Sequence, residues 1–303
     1  MLKFVLFAIS LIILAILIVY SNPEKLLLNL EKFDLQTGIL FLAIATFTAV
    51  LRVYRFQFLL KNKMNFRELF PIHIYSLALS NIIPGRVSEP FRAALLKAVK
   101  GIPFSFSLAA VFLERLSDMI ILLLFSLFAF YFTNASLFII PFIIVLFAII
   151  IIATTSQHSL TLRGINIILR SIGFQKYVNV FRKLLKEAKI SKRFVIPIIF
   201  SIFIWGIDAI VFYKSLELFG VDVNYFVVLS FFALSLIVGL VSFLPGGIGS
   251  AEASMSILLS MIGVDYSIAL TAVLIARLFT LWYIIIIGML FSLTIKQEKK
   301  KKV

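Results

Sequence analysis

Long apolar stretches alternate with short polar ones along the whole chain. Six stretches are expected to cross a bilayer, at residues 4–20, 37–60, 104–132, 138–153, 194–219 and 266–295. Two more, at residues 69–99 and 225–262, are interrupted near their middle by proline and glycine. The pattern predicts an all-α polytopic membrane protein with about six full spans and two broken or re-entrant helix pairs.

The second interruption is Leu244–Glu252, with the sequence Leu-Pro-Gly-Gly-Ile-Gly-Ser-Ala-Glu. Pro245 lacks a backbone donor and clashes with the preceding turn, so a helix that arrives from residue 226 is expected to end here. Ser250 is expected to cap a new short helix that ends near residue 262. A break of this kind is tolerated in lipid only where the freed backbone groups face protein or a water-filled cavity, and a packing kink is the alternative. Three glycines allow the chain to turn between the two helices: Gly246, Gly247 and Gly249.

A similar break, Pro84-Gly85, stands 161 residues before Pro245. The same residue types then recur 162 residues apart after each break, as Gly101 and Gly263, Ser105 and Ser267, and Arg115 and Arg277. Shared apolar residues would mean little in so hydrophobic a chain, but proline, glycine and arginine in register are informative. The sequence therefore predicts two copies of one unit, at about residues 37–132 and 194–295, within a single transmembrane domain of residues 1–303.

The basic residues indicate which ends of the spans face the cytoplasm. Residues 157–193 hold nine Lys and Arg against Glu187 alone, and residues 296–303 hold five Lys. We expect the first of these segments to be a cytoplasmic, basic amphipathic connection on anionic headgroups, and the tail to be cytoplasmic as well. Arg52 and Arg55 are interpreted as part of the cytoplasmic end of the span at 37–60.

The direction of each span then follows from the order of the chain. Residues 4–20 are expected to be an uncleaved first helix with a cytoplasmic N-terminus, and residues 23–36 an interfacial segment on the outer side. Each broken pair returns the chain to the side it came from, so the span at 104–132 runs outward and the span at 266–295 runs inward. The two copies would thus have inverted topology, which is a transporter architecture.

Composition excludes several other classes of protein. The chain has 303 residues, is 62% hydrophobic and has a mean hydropathy of +1.12, which is not typical of a soluble domain. It has no cysteine and two histidines, so no metal site or other cofactor is predicted. The net charge of +15 could suggest nucleic acid, but its location in the loops fits the membrane better, and no nucleic-acid partner is predicted.

Several charged residues lie inside the apolar stretches, where each costs roughly 2.5–3.5 kcal/mol to insert. Glu114 and Asp118 share a helix face, and Arg115 is placed to pair with Asp118. Internal salt bridges are one explanation, and a polar cavity is the other. We favour the cavity because the charges cluster at the two breaks and on the spans that follow them: Arg86, Glu89, Arg92, Glu114, Arg115, Asp118, Asp208, Glu252 and Arg277.

The breaks themselves suggest a site for an anion. The short helices that start at Ser88 and Ser250 would point unpaired N–H groups and a positive dipole end at the cavity. Arginine adds planar forks that suit phosphate, as at Arg115 and Arg277. Acidic residues could hold these arginines when no anion is bound, or could titrate if transport is linked to protons: Glu89, Asp118 and Glu252.

Three motifs carry a resemblance to a known family. They are Asn81-x-x-Pro84-Gly85-Arg86-x-x-Glu89-x-x-Arg92, Glu114-Arg115-x-x-Asp118, and Pro245-Gly246-Gly247-x-Gly249-x-x-Glu252 with Gly263 and Arg277. Over about residues 5–295 the chain resembles the lysylphosphatidylglycerol synthase transmembrane-region family, also called the flippase-like integral membrane family. Larger relatives add a soluble aminoacyl-transferase domain, so the resemblance implies the flippase part and no synthase activity. Val87-Ser88 departs from the small residue or glycine that many relatives carry before Glu89.

The favoured hypothesis is a lipid flippase or transporter, not an enzyme, in the plasma membrane of a prokaryote. It would move an anionic phospholipid or a polyprenyl-phosphate lipid, with the headgroup bound between the two breaks. The alternatives are a non-catalytic partner of a separate glycosyltransferase or lipid synthase, and a transferase that acts on a lipid carrier. The transferase is disfavoured because neither His73 nor His158 stands in a polar setting. A homodimer is left open.

Overall fold

The computed structural model describes residues 2–83, 89–133 and 195–300, and every regular element in these ranges is helical. The first group of helices is α1 (Leu2–Tyr20), α2 (Pro23–Leu30), α3 (Leu35–Leu59), α4 (Phe66–Ile82), α5 (Glu89–Lys100) and α6 (Phe104–Thr133). The second group is α7 (Val195–Glu217), α8 (Tyr225–Val241), α9 (Ser250–Met261), α10 (Tyr266–Arg277) and α11 (Tyr283–Lys300). The helix bounds lie within a few residues of those that the sequence predicts.

The chain reverses sharply after the first helix. Asn22 has a positive φ of 62° and accepts a hydrogen bond from the N–H of Glu24, while Pro23 occupies the first position of α2. As a result α1 and α2 meet at an angle of 88°. Asp34 then caps α3 by accepting a hydrogen bond of 2.7 Å from the N–H of Thr37. These local signals place α2 across the direction of α1.

Both breaks are present as interruptions between two helices. The first separates α4 from α5, and its residues 84–88 lie outside the described part of the chain. The second separates α8 from α9 and contains a short 3₁₀ turn at Pro245–Gly247. A π-helical turn at Leu278–Trp282 joins α10 to α11, so Arg277 is the last residue before a helix irregularity.

The last helix of each group packs against a helix of the other group. α4 packs along α11, α8 packs along α6, and α3 packs against α7. One apolar core is therefore built mainly from α3, α4, α5 and α6 but includes Ile284 and Ile295 of α11. The other core is built mainly from α7, α8, α9 and α10 but includes Phe41 of α3 and Ala129 of α6. This packing brings the end of α4 close to the second break, where a Cβ added to Gly246 would lie 3.1 Å from the carbonyl oxygen of Asn81.

Small residues allow the closest helix approaches. A Cβ added to Gly288 of α11 would lie 2.4 Å from the Cβ of Ala78 on α4. In lipid, where apolar burial adds little between helices, close backbone packing of this kind is a main source of helix association. Any larger residue at 288 would have to push α4 and α11 apart.

Three helices in the described ranges are long and apolar enough to cross a membrane: Leu35–Leu59, Val195–Glu217 and the continuous segment Tyr266–Ile295. The bent pair α1 and α2 would make a fourth if it counts as one span. The predicted span at 104–132 is observed as the single helix α6, with three charged residues in its first half. The predicted span at 138–153 and the basic connection at 157–193 lie outside the described residues, so the number of six spans stays a prediction.

Candidate functional site

A cavity of about 110 Å³ lies between the end of α4 and the second break. The end of α4 contributes Asn81 and Ile83 to its wall, and the second break contributes Leu244, Gly246 and Gly247. Its charged wall consists of Arg52, Arg115, Arg277, Asp118 and Asp208. The cavity, called the chamber below, therefore combines a charged wall with an apolar one.

The second break is held by one arginine and one glutamate. Glu252 is 2% exposed, and its Oε2 accepts a hydrogen bond of 2.7 Å from the N–H of Gly249. Its Oε1 accepts a hydrogen bond of 2.6 Å from Nε of Arg277, whose Nη2 donates to the carbonyl oxygen of Gly246, also at 2.6 Å. Arg277 thus ties α10 to both the start of α9 and the turn before it.

The prediction that Ser250 caps the short helix is wrong. The cap residue of α9 is Gly249, whose positive φ of 88° is readily reached only by glycine, and Glu252 satisfies its N–H. The hydroxyl of Ser250 instead donates to the carbonyl oxygen of Gly247 at 3.1 Å and lies 2.8 Å from the hydroxyl of Ser242. A carboxylate on the third residue of the helix, which is the acidic half of a capping box, replaces the expected serine.

Two features of the second break require glycine at position 247. A Cβ there would lie 2.9 Å from the Cα of Gly239 on α8, so the turn touches backbone directly. The φ of Gly247 is +66°, which other residues rarely adopt. The two glycines let the turn fold back against the helix that leads into it.

A larger cluster of charges lies behind the cavity on the side of α6. Arg55 of α3 is 1% exposed and bridges both carboxylates of this helix, with Nη1 2.5 Å from Asp118 Oδ1 and Nη2 2.8 Å from Glu114 Oε1. Arg115 lies further away, with Nη2 3.2 Å from Glu114 and 3.4 Å from Asp118. Arg92 of α5 pairs with the second oxygen of Glu114. Two carboxylates therefore share three arginines.

Neighbouring polar and aromatic side chains complete this cluster. Ser201 accepts a hydrogen bond of 2.7 Å from Arg55, and the indole N–H of Trp205 donates to Asp118 at 2.9 Å. The guanidinium of Arg92 lies 4.8 Å from the centre of the Phe56 ring. These contacts offset part of the cost of burying the charges.

A separate ion pair joins α3 to α7 at the cavity wall. Nη2 of Arg52 lies 2.5 Å from Oδ2 of Asp208, and the guanidinium of Arg52 lies 4.9 Å from the centre of the Trp205 ring. Asp208 had been counted among the charges inside the apolar stretches, but Arg52 had been assigned to a basic helix end. The structure places both in the wall of the same chamber.

The described charges around the cavity do not balance. Five guanidinium groups face four carboxylates: Arg52, Arg55, Arg92, Arg115 and Arg277 against Glu114, Asp118, Asp208 and Glu252. The formal excess is one positive charge in a region where charge is costly. A single negatively charged group in the chamber would neutralise it.

The predicted site residues fall into three sets. Glu114, Arg115, Asp118 and Arg92 form the cluster on α5 and α6, while Gly246, Gly247, Gly249, Glu252 and Arg277 form the second break. Arg86 lies outside the described residues, and Glu89 starts α5 but its side chain is not described. Nothing in the arrangement tests whether these residues bind a headgroup, so that role stays a prediction.

Three residues that matter to the site were missed or misjudged. Arg55 was interpreted as a helix-end residue, yet it is the centre of the buried cluster. His73 was described as lacking a polar setting, which is wrong because its Nε2 lies 3.7 Å from Glu114. Trp205 was not considered at all. An arginine three residues after another arginine, within an apolar span, is the signal that could have located Arg55.

Helices of this length and hydropathy around a charged inner chamber define an integral membrane protein. The profile of the family described as "Lysylphosphatidylglycerol synthase TM region" matches residues 7–288, and the chain belongs to that family. The resemblance inferred from the three motifs is thereby confirmed.

Archaeal membrane proteins are similar to the chain over almost its full length. A UPF0104 membrane protein of Methanothermobacter thermautotrophicus is 26% identical, covering 96% of this chain and 92% of the relative. A UPF0104 membrane protein of Methanocaldococcus jannaschii is 24% identical, covering 98% and 96%. One of Pyrococcus horikoshii is 23% identical, covering 94% and 95%.

Proposed function

We propose that this protein moves an anionic lipid across the membrane, either a phospholipid or a polyprenyl-phosphate lipid. The observation that carries the proposal is the chamber between the end of α4 and the second break, whose wall holds three arginines but two carboxylates. Arginine forks bind phosphate oxygens in pairs, and a phosphate would neutralise the excess charge. The headgroup would therefore bind between the broken helices.

An apolar wall beside the arginines supports a lipid over a free anion. Phe232, Leu236, Phe243 and Leu244 line the same cavity as Arg115 and Arg277, and Phe243 is 64% exposed. A headgroup could occupy the polar side while its chains lie along the apolar side. The family description, which names a synthase of a charged phospholipid, points to the same kind of substrate.

The helix packing supports the idea of an inverted-topology repeat. If residues 37–132 and 194–295 are two copies, α4 corresponds to α8, and α6 corresponds to α10 with α11. The contact of α4 with α11 is then the counterpart of the contact of α8 with α6. Both breaks would lie beside the axis that relates the copies, and transport would occur by rocking of one copy against the other.

In this proposal protein carboxylates hold the arginines when the chamber is empty. Glu252 binds Arg277, and Glu114 and Asp118 bind Arg115. A phosphate that enters would replace some of these contacts without leaving a buried arginine unpaired. Arg86 and Glu89 would join the same site from the first break. The protein would act without enzymatic chemistry, in the plasma membrane, with both termini in the cytoplasm.

Reconstitution into proteoliposomes tests this function. Vesicles would contain a fluorescent anionic phospholipid or a polyprenyl phosphate, and a membrane-impermeant reductant would quench the outer leaflet. We expect the wild type to lose clearly more than half of the fluorescence, and Arg115→Ala to stop near half. Arg115 is the cleanest choice because Glu114 and Asp118 keep Arg55 when Arg115 is removed, so the cluster should still fold.

A matched control is available on the lipid-facing surface. Ile286 of α11 is 57% exposed, so Ile286→Ala should leave lipid movement unchanged. Quenching that stops at half for the wild type with every lipid tried, in a protein that is correctly folded, would contradict the proposal. It would favour a non-catalytic partner of a separate glycosyltransferase or lipid synthase, which co-purification would then test.

A further inference from the structure

His73 of α4 lies directly behind the chamber and has no part in the proposed binding of the headgroup. Its side chain is fully buried, and neither ring nitrogen has a hydrogen-bond partner among the described residues. Nε2 lies 3.7 Å from Oε1 of Glu114, and the ring packs on Phe56 with 5.1 Å between the ring centres. A buried polar group without a partner is costly, so its place beside a carboxylate calls for an explanation.

The charges that face His73 come from three helices. They are Arg55 on α3, Arg92 on α5, and Glu114 and Arg115 on α6, with Asp118 one turn further along α6. α11 also packs on α4, but its segment Tyr283–Ile295 has no charged residue, and neither has the turn Pro245–Gly247. Among the described residues, three guanidinium groups thus already exceed two carboxylates. A neutral imidazole is the form that suits this balance of charges.

A bound phosphate would change that balance. One negative charge paired with Arg115 brings the formal sum of the cluster from +1 to zero, so a proton on the imidazole no longer adds to an excess. The protonated Nε2–H could then donate to Glu114 if the 3.7 Å gap closes by about 1 Å, to a normal hydrogen-bond length. Glu114 would gain a new partner, and Arg115 would be released to hold the phosphate.

We infer that His73 is a proton-binding site coupled to the headgroup site, so that one proton is taken up with each monoanionic headgroup. The inference rests on the proposed function for the identity of the anion. Because binding linkage is reciprocal, the anion must favour protonation of His73 as much as the proton favours binding of the anion. The complex of one proton and one phosphate monoanion would enter the membrane interior without adding net charge.

The chain has two histidines, which makes a direct test practical. His158→Gln leaves His73 as the single histidine, and ¹⁵N labelling of histidine then reports its protonation by NMR in detergent. At about pH 7 we expect short-chain phosphatidylglycerol to shift the His73 signals from the neutral to the imidazolium positions. Diacylglycerol, which lacks the phosphate, should leave them unchanged. If the His73 signals did not change on addition of phosphatidylglycerol at any pH between about 5 and 8, the inference would be overturned.

Lipid movement in proteoliposomes gives the second readout. The apparent affinity for the fluorescent anionic lipid should change with pH by up to about tenfold per unit, the limit for one linked proton, in wild type and in His158→Gln. His73→Gln should bind lipid with little pH dependence. If the lipid affinity of His73→Gln depended on pH as strongly as that of the wild type, the inference would be overturned.

The two proposals can fail separately. If no lipid moves but phosphatidylglycerol still protonates His73, the coupled proton site stands and the transport proposal falls. If lipid moves at a rate that is independent of pH and the His73 signals do not respond, transport stands and the coupled proton site falls.

Discussion

The two sides of the chamber bury carboxylates in different ways. On the side of the second break, Glu252 has one cation among the residues that the structure describes, Arg277. On the side of α6, Glu114 and Asp118 share Arg55, Arg92 and Arg115. The first arrangement is a single pair that also caps a helix, and the second is a network with spare partners. The difference indicates which side can release an arginine to a ligand and still keep its fold.

A buried carboxylate that loses its only cation is left without compensation, whereas one that loses one of several is not. Arg115 lies 3.2 Å from Glu114 and 3.4 Å from Asp118, farther than Arg55 at 2.8 and 2.5 Å, while Arg277 bonds directly to the backbone of the break. We therefore expect Arg115 to move most easily between protein and phosphate. Arg277 is expected to act mainly by holding the second break in shape.

The largest effect should come from Arg277→Ala. Loss of this guanidinium strands Glu252 and frees the carbonyl oxygen of Gly246, which is expected to lower the free energy of unfolding by about 3–5 kcal/mol. Arg115→Ala should cost less, because Arg55 and Arg92 still compensate Glu114, and Arg55 still compensates Asp118. Denaturant titration in mixed micelles measures both.

The control for this comparison also removes the negative charge of Glu252, which Arg277→Ala leaves without a cation. In Arg277→Gln combined with Glu252→Gln, the neutral amide at 252 can still accept from the N–H of Gly249, so much of the lost stability should return. Equal costs for Arg277→Ala and Arg115→Ala would show that the two sides do not differ as described.

A somewhat smaller effect is expected at the turn of the second break. Gly247→Ala forces a left-handed residue to carry a Cβ 2.9 Å from the backbone of Gly239, and should cost roughly 2–4 kcal/mol. Gly220 is a matched control, because its φ is +72° but a Cβ there meets nothing within 4 Å. Gly220→Ala should therefore cost only about 1–2 kcal/mol for the backbone. Thermal unfolding in detergent would compare the stability of the two variants. Equal losses of stability would show that the close approach of Gly247 to Gly239 does not matter.

Much of the helical framework could be predicted from the sequence, because apolar length and the Pro-Gly breaks are local signals. The bounds of α3, α7 and the second break follow from such signals. Partners across helices are not local. Arg55 is near a run of basic residues, so its composition resembles a helix end, and only the packing of α3 on α6 and α7 shows that it is buried.

The same limit applies to the cap and to His73. Serine and glycine both suit a helix start, and the choice of Gly249 depends on the reach of Glu252 back to its N–H. His73 lies among apolar residues in the sequence, and its neighbour Glu114 is 41 residues further along the chain. The repeat is a prediction from the residue spacing alone, and it stays a prediction.

The central claim is that the chamber beside the second break binds the anionic headgroup. The chain has no cysteine, so Thr280→Cys places a single thiol in the cavity wall, and Ile286→Cys places one on the lipid-facing side. The rate of labelling by a negatively charged methanethiosulfonate would be measured in detergent with and without short-chain phosphatidylglycerol. We predict that this lipid slows labelling at position 280 but not at 286, and that diacylglycerol slows neither. Labelling at position 280 that is unaffected by phosphatidylglycerol at saturating concentration would contradict the claim.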